Sequence, residues 1–357
     1  MRNDPPSARA IEARKSRHLD ICLDDDVASR LDAGFDGVRL RHEALPEIAL
    51  EDVDTSRSFL GHHLAAPLLI SSMTGGTQRA AAINRNLALA AERCGVGLAL
   101  GSQRAALADS TLLPTYRVRE VAADVVLFAN LGAVQFNYGM TIDDARRAVA
   151  DIGANGLYLH LNPLQEALQP RGDTNFRDLW PHIARLTRSL EVPVIVKSVG
   201  SGLSVDTARR LLEAGVAALD VAGAGGTSWA RVEGRRANDD QHEALAETFG
   251  GWGYPTLEAT VALRAAFPDA TIVASGGVRS GVDVAKALAL GADMAGAALP
   301  FLEPATRSAD AVAALLDFFI RGFRIALFAS GCRTVTDLPN ALQRRGSLAT
   351  ESVAPST

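Results

Sequence analysis

Cysteine is nearly missing from this sequence: Cys22, Cys94 and Cys332 are the only three in 357 residues. They stand at no metal-ligand spacing, and any pair leaves one over, which argues against a disulfide framework or a thiolate zinc site. Long apolar runs are missing too, none approaching the roughly 20 residues that cross a bilayer. Residues 1–10 are polar and Pro-containing, without the apolar centre of a secretion signal. No strongly basic block occurs either. With 36 basic against 41 acidic residues and a net charge of −5, the chain lacks the concentrated positive charge behind non-specific nucleic-acid binding. These absences lead to the expectation of a cytoplasmic protein with no nucleic-acid partner and no membrane association. They leave room for a local basic pocket that holds a phosphate.

What is present is a large apolar fraction, 48% of residues, with a mean hydropathy of +0.09. That is ample for one large core. From residue 67 onward, short apolar runs alternate with longer amphipathic ones. The expected strands are 67–72 (PLLISS), 97–100 (GLAL), 124–131 (DVVLFANL), 156–161 (GLYLHL), 193–198 (PVIVKS), 218–222 (ALDVA), 271–275 (TIVAS) and 292–297 (ADMAGA). Near-continuous hydrophobic runs of this kind suit parallel strands covered on both faces. Between them, Thr141 with Asp144 and Ser280 with Asp283 read as capping boxes, the second opening an Ala/Leu-rich helix that ends at Gly291. Eight strand–helix units predict an α/β fold, a (β/α)8 TIM barrel, with an open doubly wound sheet as the rival. The expected division is an N-terminal extension over 1–66, a barrel over 67–340 and a tail over 341–357, frayed from about Thr350. Segment 241–253 reads as a Gly-containing insertion.

Barrel active sites form at the carboxyl ends of the strands. The residues just after each run are Ser72-Met73-Thr74-Gly75-Gly76, Gly101-Ser102-Gln103-Arg104, Asn130, and His160 with Asn162, Gln165 and Glu166. Lys197-Ser198, the segment from Gly223 to Trp229, and Ser275-Gly276-Gly277-Val278-Arg279 complete the rim. Gly-Gly pairs let backbone N–H groups approach an anion, and the loop after a seventh barrel strand often binds phosphate. Gly276, Gly277 and Arg279 therefore read as a phosphate clamp completed by the Ala297-Ala298 backbone; tight-turn glycines are the plainer alternative. Met73 and Thr74 suit the face and edge of a planar ring, and Asn130 and Lys197 its hydrogen-bonding edges. A Lys there opposes negative charge on a reduced flavin, or else is simply a buried Lys with a carboxylate partner. Glu166 is the best candidate for a hard cation such as Mg2+, which takes one or two carboxylates plus substrate phosphates. Arg14, Lys15 and His18 form a weaker candidate diphosphate grip. His62 and His63, with no acidic or thiol neighbour in sequence, read as structural.

Together these residues resemble the type 2 isopentenyl diphosphate isomerase family. The matching stretches are RKSRHL at 14–19, SSMTGG at 71–76, GSQRA at 101–105, HLNPLQE at 160–166, KSVGSG at 197–202, AGGTSWARVE at 224–233, GWGYPT at 251–256 and SGGVRSG at 275–281. The last is generic to FMN barrels; RKSRHL combined with HLNPLQE is far more specific. The resemblance implies interconversion of isopentenyl and dimethylallyl diphosphate by a 1,3-proton shift, using reduced FMN and Mg2+, with NADPH as reductant and a homo-tetramer or octamer as the assembly. It implies FMN contacts from Ser72, Met73, Thr74, Ser102, Asn130, Lys197, Ser198, Thr227, Gly276, Gly277, Arg279, Ala297 and Ala298. Substrate contacts would come from Arg14, Lys15, His18, Ser102, Arg104, His160, Asn162, Gln165 and Ser198. Gln165 and Lys197 would stand closest to the chemistry, and Glu166 would bind Mg2+. Tyr254 stands in GWGYPT where a smaller apolar residue is expected. The alternatives are an FMN-dependent 2-hydroxy-acid oxidase or dehydrogenase and a non-catalytic flavin-binding barrel.

Overall fold

The computed structural model of the chain describes residues 8–344; the tail expected beyond Thr350 lies outside them. Eight strands form where the apolar runs lie: β1 Leu68–Ile70, β2 Gly97–Ala99, β3 Val126–Gly132, β4 Gly156–His160, β5 Val194–Lys197, β6 Ala218–Asp220, β7 Ile272–Ser275 and β8 Met294–Ala297. Each pairs in parallel with its neighbours, and β8 pairs with β1, so the sheet closes. Closure rules out the open doubly wound alternative. Several strands end a residue or two before the apolar runs do, because their last residues turn into the rim loops.

The lower layer of the barrel interior takes one inward residue from each strand. Leu69, Ala99, Phe128, Tyr158, Ile195, Ala218, Val273 and Met294 form one buried cluster with Phe59 and Leu64. Those last two come from the hairpin Arg57–Phe59/His62–Leu64, which stoppers the bottom of the barrel. His62 and His63 therefore belong to a structural hairpin. Phe128 meets Phe59 and Tyr158 edge-to-face at 5.8 and 5.7 Å, the arrangement ring quadrupoles prefer.

The helices are α1 Ala8–Asp24, α2 Gln78–Cys94, α3 Arg104–Ala108, α4 Ile142–Ala150, α5 Pro163–Leu168, α6 Leu179–Ser189, α7 Val205–Glu213, α8 Trp229–Ala237, α9 Asp240–Glu247, α10 Thr256–Ala266, α11 Gly281–Ala289, α12 Leu299–Arg307 and α13 Ala309–Ala329. Before α4, the Thr141 hydroxyl accepts from the Asp144 N–H and the Asp144 carboxylate accepts from the Thr141 N–H, at 3.2 and 2.9 Å. Before α11, Ser280 caps Asp283 at 3.2 Å, but the Asp283 carboxylate takes the Arg279 N–H at 3.0 Å. The second box is thus half formed, and its carboxylate ties down the phosphate-clamp loop instead. Segment 241–253 carries most of α9 rather than an irregular loop.

The first residues fold over the mouth of the barrel. The N-terminal α1 packs on α8 and α3. Ser29 and Ser228 N–H groups bond to the Gly226 and Val27 carbonyls at 2.7 and 2.8 Å, latching the segment after α1 to the loop beyond β6. Val38–Leu40 pairs antiparallel with Leu342–Arg344, tying the N-terminal segment to the last described residues. Among the described residues, no helix is long and apolar enough to cross a membrane. Because Phe128 is central to the barrel filling, Phe128→Ala is expected to cost about 3–5 kcal/mol. The corresponding fall in the urea midpoint, at unchanged slope, checks this; an unchanged midpoint contradicts the packing described.

Candidate active site

A cavity of about 260 Å3 opens at the carboxyl ends of the strands. Every rim residue assigned a role from sequence lines it except Ser198. Strand alternation explains the exception: Lys197 points into the barrel and its successor points away. Ser198 is buried, and its carbonyl accepts the Lys197 ammonium at 2.6 Å.

On one side lie the loops after β7 and β8. The backbone N–H groups of Gly276, Gly277 and Ala298 donate to no group among the described residues. They face the cavity beside the N-termini of α11 and α12, where the helix dipole favours an anion. Gly276 has φ +104°, and a Cβ there would stand 2.3 Å from the Gly223 carbonyl. Glycine is required by the neighbouring loop as well as by any ligand. The 75–76 pair works differently. A Cβ on Gly75 would fall 2.1 Å from the Tyr116 ring, and the Gly76 N–H is taken by Thr115 at 2.9 Å. These glycines admit Tyr116; they do not cradle an anion.

At the centre, His160, Lys197 and Asp220 are successive register partners across β4, β5 and β6. The Asn130 amide nitrogen donates to the Ser72 hydroxyl at 2.9 Å, so its oxygen accepts from His160 Nδ1, also at 2.9 Å. That assigns the His160 tautomer and leaves Nε2 as a bare acceptor. Burial, followed by the charges of Lys197, Lys15 and Arg104, pushes the imidazole down to about 3. His160 is therefore neutral at neutral pH and needs a proton before Nε2 can donate to a phosphate oxygen. The Thr74 hydroxyl and Ser71 hydroxyl are buried without partners at the same level.

The other side is cationic and comes partly from α1. The Lys15 ammonium donates to the Ser102 carbonyl at 2.8 Å and the Tyr116 hydroxyl at 2.7 Å. Burial, then Arg14 and Arg104, lowers it to about 7. Arg104 pairs with Asp173 at 2.5 Å. His18 stacks edge-on against Trp229 at 5.2 Å, and its Nε2 lies 3.1 Å from Glu233. Burial lowers His18 despite that carboxylate, leaving a mainly neutral ring. Glu233 is 0% exposed. Burial works to raise its value, yet His18, Arg236 and the Gln165 amide hold it down at about 2. The Gln165 side chain donates to it at 3.0 Å, so Glu233 fixes both α1 and the glutamine that projects into the cavity.

Glu166 is buried, accepting from Asn162 at 2.9 Å, the Asp173 N–H at 2.7 Å and Gln169 at 3.3 Å. Burial raises it above the usual carboxylate range. The Asn162 side-chain oxygen beside it has no partner. Among the described residues no group of three His, Cys, Asp or Glu is placed to hold a metal. One carboxylate with a neighbouring amide oxygen suits Mg2+ arriving with a phosphate ligand, and does not suit a resident all-protein site.

Residues 160–345 match the model of the FMN-dependent dehydrogenase family. The isopentenyl-diphosphate delta-isomerase of Xanthobacter autotrophicus is 51% identical over 339 residues, covering 94% of this chain and 97% of its own. That of Nostoc sp. is 47% identical, covering 93% and 96%. The chain belongs to the isopentenyl-diphosphate delta-isomerase family. Mandelate oxidase variants, one with a monooxide FMN adduct and one with (S)-mandelic acid, superpose with a TM-score of 0.63 at 21% and 20% identity, the first covering 93% of this chain and 91% of its own, the second 94% and 97%. At that identity they share the fold alone. Four residues that line no part of the cavity but bond to, or pair in register with, residues that do are not found by rim counting: Tyr116 at Lys15, Asp173 at Arg104, Asp220 at Lys197 and Glu233 at Gln165. Of these, only Glu233 lay within a stretch matching the family, and an acid inside the apolar run of β6 was the one other signal available. Tyr254 is exposed and does not line the cavity.

Lys15 should take up a proton when a polyanion binds above pH 7. Calorimetry with inorganic diphosphate at pH 8, in buffers of different ionisation enthalpy, is expected to show more proton uptake by the native protein than by Lys15→Met. Equal uptake contradicts the assignment.

Proposed function

We propose that this member of the family interconverts isopentenyl and dimethylallyl diphosphate, with reduced FMN on the strand rim and Mg2+ brought to Glu166 by the substrate. The observation that carries this is the near-full-length identity to isomerases, joined to the convergence of Arg14, Lys15 and His18 with His160, Asn162, Gln165 and Glu166 on one cavity. Family-level likeness to dehydrogenases accounts for the flavin fold; the cationic α1 and the carboxylate on α5 suit a diphosphate.

The residues fit both absent groups. The free amides of Gly276, Gly277 and Ala298, with Arg279, hold the FMN phosphate, while the unpartnered Thr74 hydroxyl, Ser72, Met73, Ser102, Asn130, Thr227 and Lys197 serve the ring and its chain, and Ser198 takes part only through the carbonyl that holds Lys197. Reduced FMN, when bound, supplies the acid–base centre for an alkene that offers the protein no polar handle. Arg14, Lys15 and Arg104 anchor the diphosphate, so binding energy far from the reacting carbons orients them. His160 joins them once a phosphate oxygen stabilises the proton that burial, and then the neighbouring cations, deny it. Gln165, held by Glu233, borders the alkene, and α1 with Trp229 excludes water. Lys197 opposes negative charge on the reduced ring. NADPH as reductant, a cytoplasmic setting, a homo-tetramer or octamer, and residues 1–66 as an extension on a barrel over 67–340 with a tail over 341–357 complete the reading.

Anaerobic incubation with isopentenyl diphosphate, FMN, Mg2+ and NADPH should yield dimethylallyl diphosphate, and omission of FMN or reductant, or addition of a chelator, should abolish it. A yellow, reducible protein that makes no product would refute the isomerase activity; flavin reduction by lactate or glycolate would favour a 2-hydroxy-acid oxidase. Glu166→Gln should lower Mg2+-dependent turnover at least the ~10–100-fold that loss of a metal's outer-sphere partner costs, with the bound-flavin spectrum unchanged. Undiminished turnover at low Mg2+ would remove the metal role.

A further inference from the structure

Beneath the cavity lies a charged residue that does not touch it. Asp220 ends β6, is 0% exposed and is absent from the cavity wall. One carboxylate oxygen accepts from the Ser275 hydroxyl at 2.6 Å and the Ala222 N–H at 3.2 Å. The second oxygen and the Tyr158 hydroxyl in the same interior layer have no partner besides each other. Its register partner on β5 is Lys197, which lines the cavity above. On the far side of Lys197 stands His160, which is neutral.

We propose that Asp220 is a positioning residue whose buried charge keeps Lys197 cationic at the flavin site. This rests on the flavin reading above. A lone ammonium in this interior would shed its proton and a lone carboxylate would take one up, because burial penalises whichever form is charged. Burial does act on Lys197 and on Asp220 in those two directions, and each partner opposes it in the other. Ser275 and the Ala222 N–H supply further stabilisation to the carboxylate alone. Tyr158 also stabilises the carboxylate, and the ammonium, bonded to the Ser198 carbonyl, acts on it through its field rather than by contact. Through Lys197, Asp220 then favours the anionic over the neutral form of the reduced isoalloxazine.

The test uses FMN-loaded protein reduced with dithionite and followed by absorbance across pH, together with its midpoint potential. Asp220→Asn should raise the pH at which the reduced flavin loses its N1 proton by about one unit or more, a tenfold change in that equilibrium, and should lower the potential. Lys197→Met should do the same, and the double variant should match Lys197→Met. An Asp220→Asn protein with wild-type values, or an Asp220→Asn effect that persists in full on the Lys197→Met background, overturns the proposal. Should Asp220→Asn not fold, infrared spectroscopy of flavin-free Lys197→Met decides: a protonated buried carboxyl, absent from wild type, should appear, and its absence overturns the proposal. Lack of isomerase activity leaves all these readouts intact. Failure to bind flavin would refute the flavin reading, while the infrared result would still decide the Lys197–Asp220 pair.

Discussion

The site is governed by the cost of holding cations out of water. Arg14, Lys15, Arg104 and Lys197 converge on one cavity, and burial works against the charge on Arg14, Lys15 and Lys197. Carboxylates offset this only in part, Glu233 and Glu166 near Arg14, Asp173 at Arg104 and Asp220 at Lys197. The ligand that completes such a site is a polyanion, and the rest of the architecture arranges for one to be held there. Removing water strengthens each electrostatic contact that the ligand makes.

Three structural layers support that cavity. The hairpin from residues 57–64 and the inward side chains fill the barrel bottom, so the strand ends are rigid. The interior polar residues Tyr158, Asp220 and Ser275 form a floor under the rim. Above it, α1 is held down by Tyr116, which accepts from Lys15, and by Glu233, which lies 3.1 Å from His18 and accepts from Gln165. Because Glu233 serves both α1 and Gln165, closure over the substrate and orientation of the glutamine are mechanically joined.

Much of this was legible in the sequence. Apolar runs that break into polar and glycine residues located the strands and their rim, because in a barrel that transition marks the functional end. Eight strand–helix units favour closure, but strand order is a tertiary property, and only the structure removes the doubly wound alternative. Ser198 was placed with Lys197 because both end one run, whereas alternation turns one inward and one away. Gly75-Gly76 carries the same pair pattern as the phosphate clamp yet is the space Tyr116 needs, a contact about 40 residues distant that no local pattern encodes. Tyr116, Asp173 and Asp220 were passed over because their roles come from partners on other elements.

If the site holds its cations at a cost, removing one should stabilise the empty protein. The folded-state value of Lys15, about 7, lies below its ordinary 10.5. The unfolded chain therefore binds more protons between those values, so stability rises with pH across that window, and at or below pH 7 the full burial cost remains. The most direct measurement is the thermal midpoint of Lys15→Met against the native protein at pH 6.5, with and without saturating inorganic diphosphate. The variant should melt higher than the native protein when empty and gain less from diphosphate. A variant that melts lower when empty would contradict the idea that this site is a set of buried cations awaiting its anion.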